Sequence, residues 1–188
     1  FFLAEKVTRL AEAGLKRINV SLDSLKPERF ARLVRRDGQL VFKILDGMRK
    51  AVGVGLRPIK VNCVVMRGYN HDELLDFVDL GRSEGYQVRF IEYMPLDAQD
   101  RWTMDLVGPG AEILARIDAA YPLRRAAGAG SEPATVHEFA DGRGSIGVIA
   151  SVTEPFCDHC NRVRITADGH LRTCLFSDRT FRLLGYLR

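Results

Sequence analysis

The sequence predicts an α/β fold, and three observations carry that prediction. Helical and strand patterns alternate through the first half of the chain. The strands are almost continuously apolar, as expected for parallel strands buried by crossover helices. After residue 95 the pattern changes to short strands separated by Gly and Asp turns. Parallel pairing with right-handed crossovers follows, as in an α/β barrel or a doubly wound sheet.

Each element of the first half has a local cause. A helix from residue 4 is predicted to end at Gly14, and residues 17–22 form a buried strand. Pro27 suits the first position of the next helix, and a further helix covers residues 42–52. Strands at 59–66 and 88–93 flank a helix that begins at residue 74 and ends near Gly85.

The second half is predicted to be a separate, β-rich unit. A helix is expected over roughly residues 111–120, followed by short antiparallel strands at 135–139, 145–150, 162–166 and 171–175. We therefore divide the chain into residues 1–98 and residues 99–188.

Composition restricts the class of protein. The 188 residues are 46% hydrophobic and 28% charged, which suffices for a buried core and excludes disorder. The net charge of +4 favours an anionic partner. No apolar run reaches the roughly 18 residues that a membrane helix needs, so a soluble, cytoplasmic protein without a membrane partner is expected.

Three of the four cysteines have the spacing of a metal site. Cys157 and Cys160 are separated by two residues, and Cys174 follows after a turn at Asp168-Gly169. Three thiolates would leave one iron of a 4Fe-4S cluster open to a ligand that is not protein. Zinc is the alternative, with His159 or His170 as the fourth ligand. Cys63 stands alone on an apolar strand and is predicted to be a core residue.

Several polar residues occupy positions that suggest ligand contacts. Arg162 and Arg164 alternate with Val163, so a strand would direct both guanidinium groups to one face beside the metal site. Lys60 and Arg89 lie inside apolar strands, where a charge must face a cavity or find a partner. Ser21 and Asn62 interrupt apolar strands in the same way.

Four separated motifs together resemble the GTP 3',8-cyclase family of radical S-adenosylmethionine enzymes. They are NVSLDSL at 19–25, KVNCVVMRGYN at 60–70, RFIEYM at 89–94 and FCDHCNRVR at 156–164. The resemblance implies a lyase of molybdenum cofactor biosynthesis. Its fold would be the C-terminal part of a partial (β/α)6 TIM-type barrel, followed by a small β-rich iron-sulfur region.

The resemblance also implies roles for individual residues. Cys157, Cys160 and Cys174 match the three ligands of a 4Fe-4S cluster that binds GTP. The positions that match GTP contacts are Lys60, Arg162, the Val163 backbone and Arg164. The positions that match S-adenosylmethionine contacts are Ser21 and Met94, with Arg89 as a third.

In that family, S-adenosylmethionine yields a radical that abstracts hydrogen from C3' of GTP, and C3' then attacks C8. The product is (8S)-3',8-cyclo-7,8-dihydroguanosine 5'-triphosphate, which a cyclic pyranopterin monophosphate synthase processes. A homodimer is also expected from the family. The Cys-x3-Cys-x2-Cys motif of a second 4Fe-4S cluster and a Gly-Gly tail are not found in these residues, so the chain is expected to be a fragment that is inactive alone.

Two other classes of function stay open at the level of sequence. A zinc-knuckle module on an α/β scaffold could bind nucleic acid through a basic face, but Lys60 and Arg89 inside strands do not fit such a footprint. A ferredoxin-like electron carrier would not explain a cluster with three thiolates. We therefore expect GTP, and no nucleic acid, as the partner.

Overall fold

The computed structural model describes residues 2–96, 101–126 and 133–186, with the side chain of His159 excepted. The helices in these ranges are α1 (Leu3–Glu12), α2 (Pro27–Val34), α3 (Leu40–Gly53), α4 (Leu74–Glu84) and α5 (Gly110–Ala120). The strands are β1 (Ile18–Ser21), β2 (Ile59–Val65), β3 (Gln87–Glu92), β4 (Leu123–Arg125), β5 (Thr135–Phe139), β6 (Ser145–Ile149), β7 (Arg164–Ile165), β8 (His170–Arg172) and β9 (Phe181–Arg182). Short 3-10 turns cover His71–Glu73, Met104–Leu106 and Cys157–His159.

Six strands form the main sheet, in the order β1-β2-β3-β6-β5-β4. Strands β1, β2, β3 and β6 are parallel, whereas β5 and β4 are added antiparallel at one edge. The predicted alternation of helices and parallel strands is thereby confirmed as a mixed α/β fold with a mainly parallel sheet. The local signals also act as expected, since Pro27 opens α2 and Gly85 ends α4 in the left-handed conformation.

The two faces of the main sheet have different environments. Along β2 and β3, buried residues alternate with half-buried ones, as the period of a strand requires. One face joins the core with α1, α3, α4 and α5, and Cys63 is 2% exposed within that core, as predicted. The other face carries polar side chains and remains half-exposed.

A second sheet contains β7, β8 and β9 in antiparallel order. Four strands were expected in the C-terminal unit, and two of them belong to this small sheet. The strand expected at 162–166 is β7, at 164–165, and the one expected at 171–175 is β8, at 170–172. Strand β6 instead continues the parallel sheet beside β3, and β5 pairs with β6. Residue 98, at which we divided the chain, lies outside the described residues, and the two-unit division stays a prediction. Among the helices described, none is both long enough and apolar enough to cross a membrane.

A candidate ligand site at the carboxyl end of the sheet

A cavity of about 400 Å³ lies where strands β3 and β6 end. Its walls contain all three cysteines of the predicted metal site, together with Arg162, Arg164 and Met94. The remaining lining residues are Ile91, Ile149, Ser151, Pro155, Phe156, Thr173, Leu175 and Phe176. The tertiary structure therefore brings together six of the residues that the sequence singled out, although Met94 and Cys174 are 80 positions apart.

The three cysteines are free thiols in the cavity wall. The pKa of the Cys160 thiol is lowered, chiefly by a hydrogen bond from the Arg162 backbone and secondly by one from the Arg162 side chain. Arg162 Nε lies 3.4 Å from Cys160 Sγ. In the part of the chain that the structure describes, no three His, Cys, Asp or Glu side chains are gathered closely enough to hold a metal ion. Sites with thiolate ligands are often completed only when the metal binds.

The two arginines reach the cavity from neighbouring positions. The guanidinium carbon of Arg162 lies 5.0 Å from the centroid of the Phe156 ring, which is a cation-π contact that fixes its plane. Arg164 begins β7 and faces Arg172 across the small sheet. The Val163 side chain is 59% exposed and does not line the cavity.

The predicted polar residues of the strands form rows on the half-exposed face of the main sheet. Ser21, Asn62, Arg89 and Gly147 occupy one row across β1, β2, β3 and β6. Arg89 Nε donates a hydrogen bond to Asn62 Oδ1 over 2.8 Å. A Cβ atom at Gly147 would lie 3.0 Å from Arg89 Cγ, so the glycine leaves room for this arginine to lie across the sheet.

The polar face of the main sheet ends at the cavity, but its polar residues Ser21, Lys60, Asn62 and Arg89 do not line the cavity. Ile91 lies on the same face as Arg89, two positions further along β3, and is part of the cavity wall. Lys60 pairs with Gln87, which at ~3.3 Å per residue places it about 13 Å along the sheet from Ile91. The row that contains Ser21 and Arg89 lies two residues, about 7 Å along the strands, before Ile91, so these residues are nearer to the cavity than Lys60 but do not line it.

A larger cavity of about 640 Å³ adjoins the first, and Met94 lines both. Its walls include the aromatic rings of Tyr69 and Tyr93. The guanidinium carbon of Arg32 lies 5.0 Å from the centroid of the Tyr69 ring. Met94 is consequently placed between two cavities at the end of β3.

One of the two histidines weighed as a fourth metal ligand is engaged elsewhere. His170 Nδ1 lies 3.0 Å from Asp168 Oδ2, and His170 does not line the cysteine cavity. The side chain of His159 lies outside the described residues. The described residues thus give the three thiols no histidine partner.

Sequence reasoning missed two residues of the site. Ser151 lines the cavity, and its Oγ is buried without a hydrogen-bond partner among the described residues. Glu92 is fully buried beneath the cavity, where it accepts hydrogen bonds from the turn that follows β6. The signal for Glu92 was available, because its position in β3 belongs to the core face, where a carboxylate is rare.

The mainly parallel sheet, with a cavity of thiols and guanidinium groups at its carboxyl end, defines an α/β protein with a candidate ligand site at the strand ends. Sequence comparison then places the chain among known proteins. The model of the Molybdenum Cofactor Synthesis C family matches residues 86–188, and that of the Radical SAM superfamily matches residues 1–81. The chain belongs to the Molybdenum Cofactor Synthesis C family.

Individual relatives agree with this assignment. The chain is 44% identical over 187 residues to molybdenum cofactor biosynthesis protein 1 of Mus musculus, covering 99% of the chain and 29% of the relative. It is 43% identical over 188 residues to GTP 3',8-cyclase of Moorella thermoacetica, covering 100% and 57%. The corresponding enzyme of Xanthomonas axonopodis pv. citri is 42% identical over 178 residues, covering 94% and 53%. The chain therefore spans between 29% and 57% of the length of these relatives.

Proposed function

We propose that this chain forms part of a GTP 3',8-cyclase, a lyase of molybdenum cofactor biosynthesis that belongs to the radical S-adenosylmethionine enzymes. The observation that carries the proposal is the cavity that combines three thiols, two guanidinium groups and Met94. GTP 3',8-cyclases are also among its relatives. The product would be (8S)-3',8-cyclo-7,8-dihydroguanosine 5'-triphosphate.

The residues of the cavity fit a 4Fe-4S cluster. Cys157, Cys160 and Cys174 supply three free thiols to one space, and the lowered pKa of Cys160 favours the thiolate that iron requires. The described residues offer no histidine as a fourth ligand there. Cys157, Cys160 and Cys174 would hold the cluster, which would supply an open iron site for a purine.

GTP would contact both the cluster held by the cysteines and the two arginines beside it. The forked guanidinium groups of Arg162 and Arg164 suit phosphate oxygens, and Phe156 holds the plane of Arg162. The Val163 backbone would contribute a further contact, and Lys60 would reach the nucleotide from the polar face of the main sheet. By holding both ends of GTP, these residues would fix the ribose between them.

S-adenosylmethionine would be held by Met94 and Ser21, with Arg89 as a third contact. When bound with its own 4Fe-4S cluster, S-adenosylmethionine supplies the chemistry of hydrogen abstraction from C3' of GTP. Met94 would lie where that cofactor meets the nucleotide, because it lines both cavities. Apolar walls such as Ile91 and Ile149 would exclude water from the space between them.

The finer assignments belong to the same proposal. The main sheet would be the last portion of a partial (β/α)6 barrel in residues 1–98, with the iron-sulfur and GTP-binding region in residues 99–188. The whole enzyme would form a homodimer and pass its product to a cyclic pyranopterin monophosphate synthase. The second cluster would be held by residues other than these 188, and the chain alone would not cleave S-adenosylmethionine.

Metal analysis tests the cluster directly. Anaerobic reconstitution with iron and sulfide should give visible absorption and bound inorganic sulfide. Replacing Cys157, Cys160 or Cys174 by Ser should remove most of both. Cys63→Ser is the matched control, since Cys63 is buried in the core away from the cavity, and it should retain the cluster. One bound zinc and no sulfide would contradict the proposal and favour the zinc-knuckle alternative.

A nucleotide titration tests the substrate. GTP should perturb the spectrum of the cluster, and Arg162→Gln or Arg164→Gln should weaken that binding by about tenfold or more, as expected for a lost charged hydrogen bond. Arg9→Gln on the exposed surface of α1 has the same change in net charge and should leave the affinity unchanged. Equal loss in all three variants would show that net charge, rather than this cavity, determines binding.

A further inference from the structure

We infer that Ser151 is a further substrate-binding residue of the cysteine cavity, and that the buried carboxylate of Glu92 holds it in place. The inference rests on the proposed function in taking GTP as the ligand. It adds a neutral hydroxyl to a site otherwise described by its thiols and guanidinium groups.

The Ser151 hydroxyl has no hydrogen-bond partner among the described residues and is therefore available to a ligand. Ser151 lies two residues after the end of β6 and lines the cavity that contains Cys157 and Cys160. Its Oγ is inaccessible to solvent. A buried hydroxyl without a partner destabilises the free protein, and a rotation of the Ser151 side chain toward a ligand in the cavity would give this hydroxyl its partner.

The turn that carries Ser151 is fixed by Glu92. Glu92 Oε2 accepts hydrogen bonds from the backbone N–H groups of Val152, over 2.7 Å, and Thr153, over 2.8 Å. Glu92 Oε1 accepts one from the Thr153 hydroxyl and one from the Gly110 N–H, over 2.7 Å. The carboxylate thus joins the end of β3 to the turn after β6 and to the first residue of α5.

Both ends of this connection belong to the cavity. Ile91 and Met94 flank Glu92 in sequence and form one wall. Ser151 precedes the two amides that Glu92 binds, and the same segment continues through Pro155 to Cys157 on the other wall. Glu92 therefore determines the distance between the two walls, although it is fully buried and does not line the cavity itself.

The experiment compares four variants of the full chain. Ser151→Ala should leave stability unchanged or raise it, because it removes an unpartnered hydroxyl, and should weaken GTP binding several-fold. Glu92→Gln should raise amide hydrogen exchange in residues 150–157 by about tenfold or more, since an amide nitrogen replaces an acceptor oxygen, and should also weaken GTP binding. Ser83→Ala is the control for the loss of a hydroxyl, because Ser83 is bonded to Leu80 on α4. Glu73→Gln is the control for the carboxylate.

Glu73 makes a demanding control. It is also fully buried, and it accepts hydrogen bonds from Ser24 Oγ at 2.8 Å and from the Leu25 N–H at 2.8 Å, away from the cavity. Glu73→Gln should lower stability while leaving both GTP affinity and exchange in residues 150–157 unchanged. If Glu92→Gln prevents folding, the variants Thr153→Val and Thr153→Ser test whether Glu92 holds the turn. Only Val removes the hydroxyl that donates a hydrogen bond to Glu92, so only Val should raise exchange in residues 150–157.

Each outcome decides one part of the inference. Unchanged GTP affinity in Ser151→Ala overturns the role of Ser151. Unchanged exchange in residues 150–157 of Glu92→Gln overturns the role of Glu92. If the unaltered protein does not bind GTP, the proposed function is wrong. The hydrogen-exchange comparison does not depend on GTP and still tests whether Glu92 holds the turn.

Discussion

Replacing Gly110 by Ala tests how tightly the structure holds the region beneath the cavity. A Cβ atom at residue 110 would lie 2.9 Å from Ala150 Cβ and 3.1 Å from Val148 Cγ1. The Ala150 methyl cannot rotate away, so the start of α5 must shift from β6 and stretch the Gly110–Glu92 hydrogen bond. Overpacking of this kind costs about 1–3 kcal/mol, and for a domain of this size that corresponds to a lower Tm by roughly 3–8 °C.

Urea unfolding followed by circular dichroism measures this change. Gly53→Ala, at the end of α3, is the matched control because no atom lies within 4 Å of the added methyl group. Removing the clashing methyl in the double variant Gly110→Ala/Ala150→Gly should recover part of the loss, which shows as coupling in a double-mutant cycle. If Gly110→Ala were as stable as Gly53→Ala, the close approach of α5 to β6 described above would be wrong.

Three further changes give distinct readouts. Burial raises the pKa of Tyr86 to about 12. The unfolded chain therefore ionises first, and the free energy of unfolding should fall by about 2 kcal/mol between pH 10 and 12, a loss that Tyr86→Phe removes in urea titrations at both pH values. Gly147→Ala should displace Arg89, whose Cγ lies 3.0 Å from the new methyl group. Equilibrium dialysis should then show weaker binding of S-adenosylmethionine, and unchanged binding would contradict the proposed role of Arg89. Asn70, 2% exposed, donates to two carbonyl groups; Asn70→Asp should destabilise by about 2–4 kcal/mol, and a Tm equal to that of the unaltered protein would contradict this.

Much of the fold could be predicted because its signals are local. The positions of α2 and α4 follow from Pro27 and Gly85 together with helical spacing of apolar residues, which a single sequence displays. Strand β6 could be found as a strand, but its partner could not. Its residues pair in parallel with β3, which ends more than 50 positions earlier, and no local pattern encodes that choice.

The candidate site shows the same division. The cysteine spacing predicted a thiolate site, and the apolar strands around Lys60 and Arg89 predicted that these charges need a cavity or a partner; the structure places both on the half-buried face of the sheet. Ser151 and Glu92 could not be connected, because their relation depends on hydrogen bonds across 60 positions of sequence. A hydroxyl becomes notable only when its surroundings leave it buried and unpartnered.

The sequence by itself determined the α/β class, the spacing of the thiols and the likeness to a family, since composition, periodicity and motifs are properties of neighbouring residues. Only the tertiary structure decided that Met94, the cysteines and the arginines share one cavity. It also decided that Ser21, Lys60 and Arg89 lie on the sheet face that leads to it, apart from its walls. The physical reason is that the register of parallel strands and the hydrogen bonds of a buried carboxylate set distances between residues far apart in the chain.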